Sequence, residues 1–264
     1  MDNFEGKVVW VTGASSGIGE EIVRHVANQG ASVILSARNL NALEKIKNNL
    51  PYADRHFCLS LDLENSSNFP ELTQQVIDRY GKIDFLFNNG GLSQRSEAWE
   101  TSLEIDRKIM EINYFGNIAL TKAVIPFMQK AKSGHIIVIS SIAGKFGFFL
   151  RSAYSASKHA LQGFYESLLL EEEKNNIYVT IAYPGKINTN ISLHALNSEG
   201  KSHGVMDHNQ ETGMSVETCV NQLILAVYKQ KKEVLIGNKE IKAVTLKRFL
   251  PNLFWKVIKK QSAT

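Results

Sequence analysis

Cysteine and proline are scarce in this chain, and long apolar runs are missing. The two cysteines, Cys58 and Cys219, fall in apolar stretches. They read as buried free thiols of a reducing, cytoplasmic compartment rather than as a disulfide framework. The five prolines are scattered. No Pro/Gly/Ser-rich linker, internal repeat or low-complexity tract divides residues 1–264, so one domain with a substantial core is expected. No stretch approaches ~20 apolar residues, and no membrane-spanning helix is expected. The start, Met1-Asp2-Asn3-Phe4-Glu5, has neither a basic opening nor an apolar core, and does not read as a signal peptide. An excess of one charge is lacking too. Thirty Lys+Arg against 26 Asp+Glu leave +4, interspersed and too mild to argue for nucleic acid.

One local absence is more telling: no acid occurs from Ile22 to Leu43. Its meaning depends on what precedes it. Lys7 to Val11 reads as a short buried strand and runs into Thr12-Gly13-Ala14-Ser15-Ser16-Gly17-Ile18-Gly19, followed by a helical pattern from about Glu20 to Asn28. Strand, glycine turn and helix together make a dinucleotide site. Gly13 permits the tight turn, Gly17 lets backbone approach a pyrophosphate, and Gly19 lets the helix pack on the strand. The helix N-terminus, with Ser15, Ser16 and Ile18, offers unpaired N–H groups to phosphate. An NAD site places an acid about 20 residues past the glycines, at the end of the next strand. Here Ser32 to Ser36 is followed by Arg38. A guanidinium suits a 2′-phosphate, so NADP(H) is expected.

Strand-like and helix-like patterns then alternate. Further strands are expected at His56–Leu61, Ile83–Phe87, His135–Ile139, Ile177–Ala182 and Glu233–Ile236. Helices are expected near Leu40–Asn49, Pro70–Tyr80, Leu103–Lys130, Tyr154–Lys174 and Val216–Lys229. Continuous apolar strands between helices imply an α/β fold: a doubly wound, mainly seven-stranded parallel sheet, Rossmann-like, with helices on both faces. Ligands gather beyond the carboxyl ends of such strands. Small and polar residues do cluster there: Thr12-Gly13, Ser36, Asp62, Asn88-Asn89-Gly90-Gly91, Ser140-Ser141 and Pro184-Gly185.

Tyr154 and Lys158 are four residues apart and share a helix face, with Ser141 upstream at a strand end. An ammonium beside a phenol favours phenolate, so Tyr154 is expected to exchange protons below its free value of about 10. A phenol so tuned, beside a dinucleotide site, is the equipment of a carbonyl–alcohol oxidoreductase. A noncatalytic NADP(H)-binding regulator or redox sensor is the alternative, but it has no need of Ser141, Tyr154 and Lys158.

These motifs, with Asn113 and Pro184-Gly185-x-Ile187-x-Thr189, resemble the short-chain dehydrogenase/reductase family along nearly the whole chain. Leu150-Arg151-Ser152-Ala153-Tyr154 and Gly204-Val205-Met206-Asp207 are similar to its member-seven branch, within the NADP(H)-preferring group. One departure is Gly90, where Ala is usual. The resemblance implies that Asp62 and the backbone of Leu63 contact the adenine, and Asn89 and Gly90 its ribose. It also implies that Ile187 and Thr189, after Pro184 and Gly185, hold the nicotinamide. Lys158 would bind the nicotinamide ribose, Asn113 would support a water relay, and the protein would be a homodimer or homotetramer.

Two segments remain. Residues near 190–214 read as a substrate lid, with Leu193, Leu196 and Met206 as an apolar wall beside Phe146, Phe148, Phe149 and Leu150, which suits a hydrophobic carbonyl or alcohol. Near 247–260, Leu250, Leu253, Phe254, Val257 and Ile258 make a helical stripe with lysines around it. That stripe either docks on protein or rests weakly on a membrane surface. Seven histidines occur; His194, His203 and His208 share one loop region without metal-ligand spacing, and no metal is expected.

Overall fold

A computed structural model describes residues 4–261; the first three residues of the N-terminal stretch read above lie outside it. Seven strands form one parallel sheet: β1 Val8–Thr12, β2 Ser32–Ala37, β3 Phe57–Ser60, β4 Phe85–Asn88, β5 Gly134–Ile139, β6 Ile177–Pro184 and β7 Glu233–Ile236. Their spatial order is β3-β2-β1-β4-β5-β6-β7.

Strand residues alternate between two cores because successive side chains leave opposite faces. Val9, Val11, Val33, Leu35, Ile137 and Ile139 face one side. There they meet Ile22, Val23 and Val26 of α1 (Gly17–Asn28), Leu43 and Ile46 of α2 (Leu40–Lys47), and Val220, Leu223 and Val227 of α8 (Val216–Tyr228). Val8, Trp10, Ile34, Leu86, Ile136 and Val138 face the other. Against them pack α3 (Phe69–Tyr80), α5 (Gly116–Ala131) and α6 (Ser152–Glu172). Burial on both faces explains why the strands read as unbroken apolar runs.

The expected single helix from Leu103 to Lys130 is broken. α4 (Leu103–Met110) passes into a π turn at Glu111–Phe115 before α5 begins. Such a turn inserts one residue into the helical register and often marks a functional site; here it contains Asn113. After β6 come a four-residue helix, α7 (His208–Glu211), and later α9 (Lys242–Phe249) and α10 (Pro251–Ile258), separated at Leu250-Pro251. Both cysteines are buried free thiols. Among the described residues no helix is long and apolar enough to cross a membrane.

Candidate active site

The strand order reverses beside β1: β2 lies on one side and β4 on the other. A crevice opens beyond the strand ends at such a switch point. Thr12 closes it at the base. Its hydroxyl accepts from the N–H of Asn89 and of Gly90, both at 3.0 Å, and donates to Phe87 O at 3.3 Å. The Asn89 amide donates to Thr12 O at 3.0 Å and Gly13 O at 3.2 Å. Asn89 therefore braces the glycine turn from the neighbouring strand.

Two glycines of the turn tolerate no side chain. Gly13 has φ +63°, and a Cβ there would lie 2.8 Å from Gly90 Cα. A Cβ on Gly19 would lie 2.2 Å from Gly13 O. Ser16 precedes α1 but makes no side-chain cap, whereas Asn39, Ser102 and Ser215 each cap their helices. The first N–H groups of α1 are thus left for an anion, and the donor set fits a pyrophosphate. Thr189 comes to this turn from β6: its methyl would be 3.3 Å from a Cβ on Gly17.

Past β2, Arg38 is exposed. Ser36, before it, is buried and accepts the Trp10 indole N–H at 2.8 Å. Asp62 is exposed past β3, and its carboxylate accepts the Glu64 N–H at 3.0 Å. Leu63 turns inward; a Cβ on Gly90 would meet its Cδ1 at 2.5 Å. The leucine side chain fills the space that an alanine methyl at position 90 would need.

On the other side of the crevice, Ser141 follows β5. Its hydroxyl accepts the Ala143 N–H at 3.1 Å and donates to Pro184 O at 3.4 Å. Tyr154 and Lys158 lie one turn apart on α6, 8% and 4% exposed. The expectation that Lys158 softens the phenol is not met by this geometry. Its ammonium donates to Ile139 O at 2.8 Å and sits 5.7 Å from the centre of the Tyr154 ring. Burial raises the Tyr154 pKa; the Ser141 hydroxyl, then Arg95 and Arg151, pull it back. Burial also pushes Lys158 down to about 8.

Asn113 is fully buried. Its amide accepts the Leu92 N–H at 2.7 Å and donates to Leu92 O at 2.8 Å and to Ser157 Oγ at 3.0 Å. Ser157 in turn donates to Tyr154 O at 2.8 Å. The π turn thereby ties α6 to the loop after β4. Pro184 and Gly185 close β6, where the Gly185 N–H donates to Ile236 O at 2.7 Å, and Ile187 is buried beside Met214.

A charged cluster was not legible in advance. Asp207 Oδ2 accepts from Arg95 Nε and Arg151 Nη2, each at 2.9 Å, and from Arg95 Nη2. Asp207 is 1% exposed, and its Oδ1 has no hydrogen-bond partner. All three residues line the same cavity as Tyr154. The cluster pins the segment after β6 to the loop after β4 and to the start of α6. Arg95 N–H to Leu196 O at 2.7 Å and Leu196 N–H to Ser93 O at 2.9 Å add a backbone tie.

The cavity encloses about 920 Å³ and runs from Ile18 and Asn89 past Ser141 and Tyr154 to α9 and α10. Its apolar wall differs from expectation. Leu193, Leu196 and Met206 do not line it; Leu196 packs instead on Ile105, Ile109 and Ala153, fixing the segment near 190–214 to α4. Phe149 and Leu150 also stay out of it. Phe146 and Phe148 do line it, together with Leu246, Phe249, Val257 and Ile258 of the C-terminal helices. Spacing marked that tail as amphipathic but not what it covers.

Residues 7–200 match the short chain dehydrogenase family profile. Dehydrogenase/reductase SDR family member 7B of Mus musculus is 40% identical over 257 residues, spanning 95% of this chain and 80% of the relative. Dehydrogenase/reductase SDR family protein 7-like of Drosophila melanogaster is 39% identical over 267 residues, 99% of this chain and 82% of the relative. A short-chain dehydrogenase structure from Streptomyces avermitilis, 30% identical, superposes with a TM-score of 0.83 over 99% of this chain and 100% of that one. A Burkholderia phymatum member in complex with NAD, 20% identical, shares the fold at a TM-score of 0.84 over 96% of each chain.

Proposed function

Because the chain belongs to the short-chain dehydrogenase family, with a nicotinamide cofactor and a small-molecule substrate, we propose that it is an oxidoreductase using NADP(H) on a hydrophobic carbonyl or alcohol. The observation that carries this reading is one continuous cavity. It joins the glycine-turn crevice to Ser141, Tyr154 and Lys158 and continues to an apolar wall.

In this reading Gly13, Ser15, Ser16, Gly17, Ile18 and Gly19 cradle the pyrophosphate, and Arg38 takes the 2′-phosphate. Asp62 and Leu63 serve the adenine, Asn89 and Gly90 its ribose. Pro184, Gly185, Ile187 and Thr189 serve the nicotinamide, with Lys158 on its ribose. The bound cofactor supplies or accepts the hydride. Tyr154 gives a proton to the carbonyl oxygen in reduction and takes it back in oxidation. Ser141 donates a hydrogen bond to that oxygen and orients it. The guanidiniums of Arg95 and Arg151 favour phenolate, which opposes the effect of burial on Tyr154. Asn113 holds the α6 turn beside which a water relay would recharge Lys158. Self-association through the α4–α5 rod and α6, in a reducing cytoplasmic setting, completes the reading.

A panel of apolar aldehydes, ketones and alcohols, followed by NADPH absorbance, tests it. Tyr154→Phe should lower turnover about a hundredfold or more while still binding NADPH. Turnover surviving in that variant would remove the proton-transfer role.

A further inference from the structure

The C-terminal helices have two unlike faces. Inward, Phe254 and Ile258 are buried; Phe254 packs on Phe146 with ring centroids 5.2 Å apart, over the cavity wall. Outward, Phe249, Leu250, Leu253, Trp255 and Val257 are 41–70% exposed. Phe249, Leu250 and Val257 also line the cavity, so the exposed apolar patch is continuous with its mouth. An inner face already docked leaves this outer one uncovered in a single copy of the chain.

Charge singles out the same segment. Lys242, Lys247, Arg248, Lys256, Lys259 and Lys260 fall within it, and no acid occurs from Lys242 to the end. These are six of the chain's 30 bases and none of its 26 acids, so the remainder is net −2 although the whole is +4. Lys247 is partly spent, donating to Lys145 O at 2.9 Å. Apolar and aromatic side chains rimmed by Lys and Arg match the interface of an anionic bilayer, where rings sit at headgroup level and bases meet lipid charge.

We propose that the outer face of α9–α10 docks on an anionic phospholipid surface and opens the cavity mouth to the lipid, from which an apolar substrate enters. Docking follows from the face alone; entry of substrate rests on the reading of the cavity as an oxidoreductase site. The mouth residues would let a lipid-dissolved carbonyl pass from acyl chains to the Phe146 wall with little exposure to water. The basic rim makes docking salt-sensitive.

The test is co-sedimentation of the full chain with phosphatidylcholine vesicles, with and without about 30% phosphatidylserine. The variant is Leu253→Glu/Trp255→Glu, whose positions are exposed and do not line the cavity. The wild type should bind the anionic vesicles at least tenfold more tightly than the neutral ones and lose most binding at high salt. The double variant should lose at least tenfold of that binding, keep turnover of a water-soluble carbonyl, and slow on a long-chain carbonyl held in the vesicles. Equal binding to both vesicle types, or to neither, would overturn docking. So would self-association in analytical ultracentrifugation that the variant abolishes while vesicle binding is missing, which would make this face a contact between copies. Vesicle binding without turnover of any carbonyl would defeat the oxidoreductase reading and the lipid entry that rests on it, and leave the docking standing.

Discussion

Lys158 is a buried base whose desolvation costs this protein stability near neutral pH. It is 4% exposed, its ammonium rests on a single backbone carbonyl, and its pKa falls from 10.5 to about 8. Below pH 8 the lysine is charged in both states, so the native state carries the full desolvation penalty. Between 8 and 10.5 the unfolded chain holds the extra proton, and stability gains with rising pH; above 10.5 the penalty has gone. A drop of that size corresponds to about 3 kcal/mol, set against roughly 1 kcal/mol for the Ile139 carbonyl left unbonded on substitution. Lys158→Met should therefore be more stable than wild type by roughly 2 kcal/mol at pH 7, while losing turnover. Its advantage should shrink steadily from pH 8 to 10. Urea unfolding at the two ends of that window measures it; a variant less stable at pH 7 would mean that the charge is compensated in the fold. Spacing alone placed Tyr154 and Lys158 on one helix face. It could not say that the ammonium would turn to Ile139 O, because that carbonyl arrives from another strand. The same limit hid Arg95, which has no motif and gains its meaning only where Asp207 and Arg151 meet it.

Among the elements, strands and most helices were legible because their periods are local. Both faces of each central strand are buried, so apolar runs sufficed to mark them, and β7 falls on Glu233–Ile236 as expected. The π turn was not legible: one inserted residue barely disturbs an apolar period, and the Asn113 amide it carries bonds Leu92 and Ser157 on other elements. Nor was the fastening of the segment after β6. Its glycines and polar residues suggested a loose cover, yet Asp207 is locked between two guanidiniums and Leu196 is seated on α4. Removing one member of a buried ionic set strands the others, and typically costs about 3–5 kcal/mol. Asp207→Ala should fall in that range by chemical denaturation, because Arg95 is almost wholly buried and cannot reach solvent without opening the loop after β4. A loss under about 1 kcal/mol would show that Arg95 finds other acceptors. Under the proposed function the variant should also weaken substrate use more than cofactor binding, since the cluster lines the cavity with Tyr154 and includes none of the residues assigned to the cofactor.

At the scale of the molecule, the topology sets where each half of the chemistry sits. β1 and β4 are adjacent although 72 residues of chain separate Thr12 from Phe85, and this brings the glycine turn against Asn89 and Gly90. The crevice is therefore built from strand ends that are rigid parts of one sheet, and a dinucleotide lying across it would tie β1, β4 and β6 together. A ligand that binds only the folded state adds RT ln(1 + [L]/Kd), about 2.7 kcal/mol at a hundred times Kd. For a chain of this size that corresponds to a rise in Tm of roughly 5–10 °C. NADPH should produce such a rise, and NADH at equal concentration a smaller one, because Arg38 stands free past β2 where an acid would otherwise meet the ribose hydroxyls. Arg38→Ala should lower the NADPH shift to the NADH level without changing the Tm of the protein alone, since an exposed arginine holds nothing in the fold. An NADH shift matching that of NADPH in the wild type would overturn the NADP(H) assignment and the role of Arg38 in it.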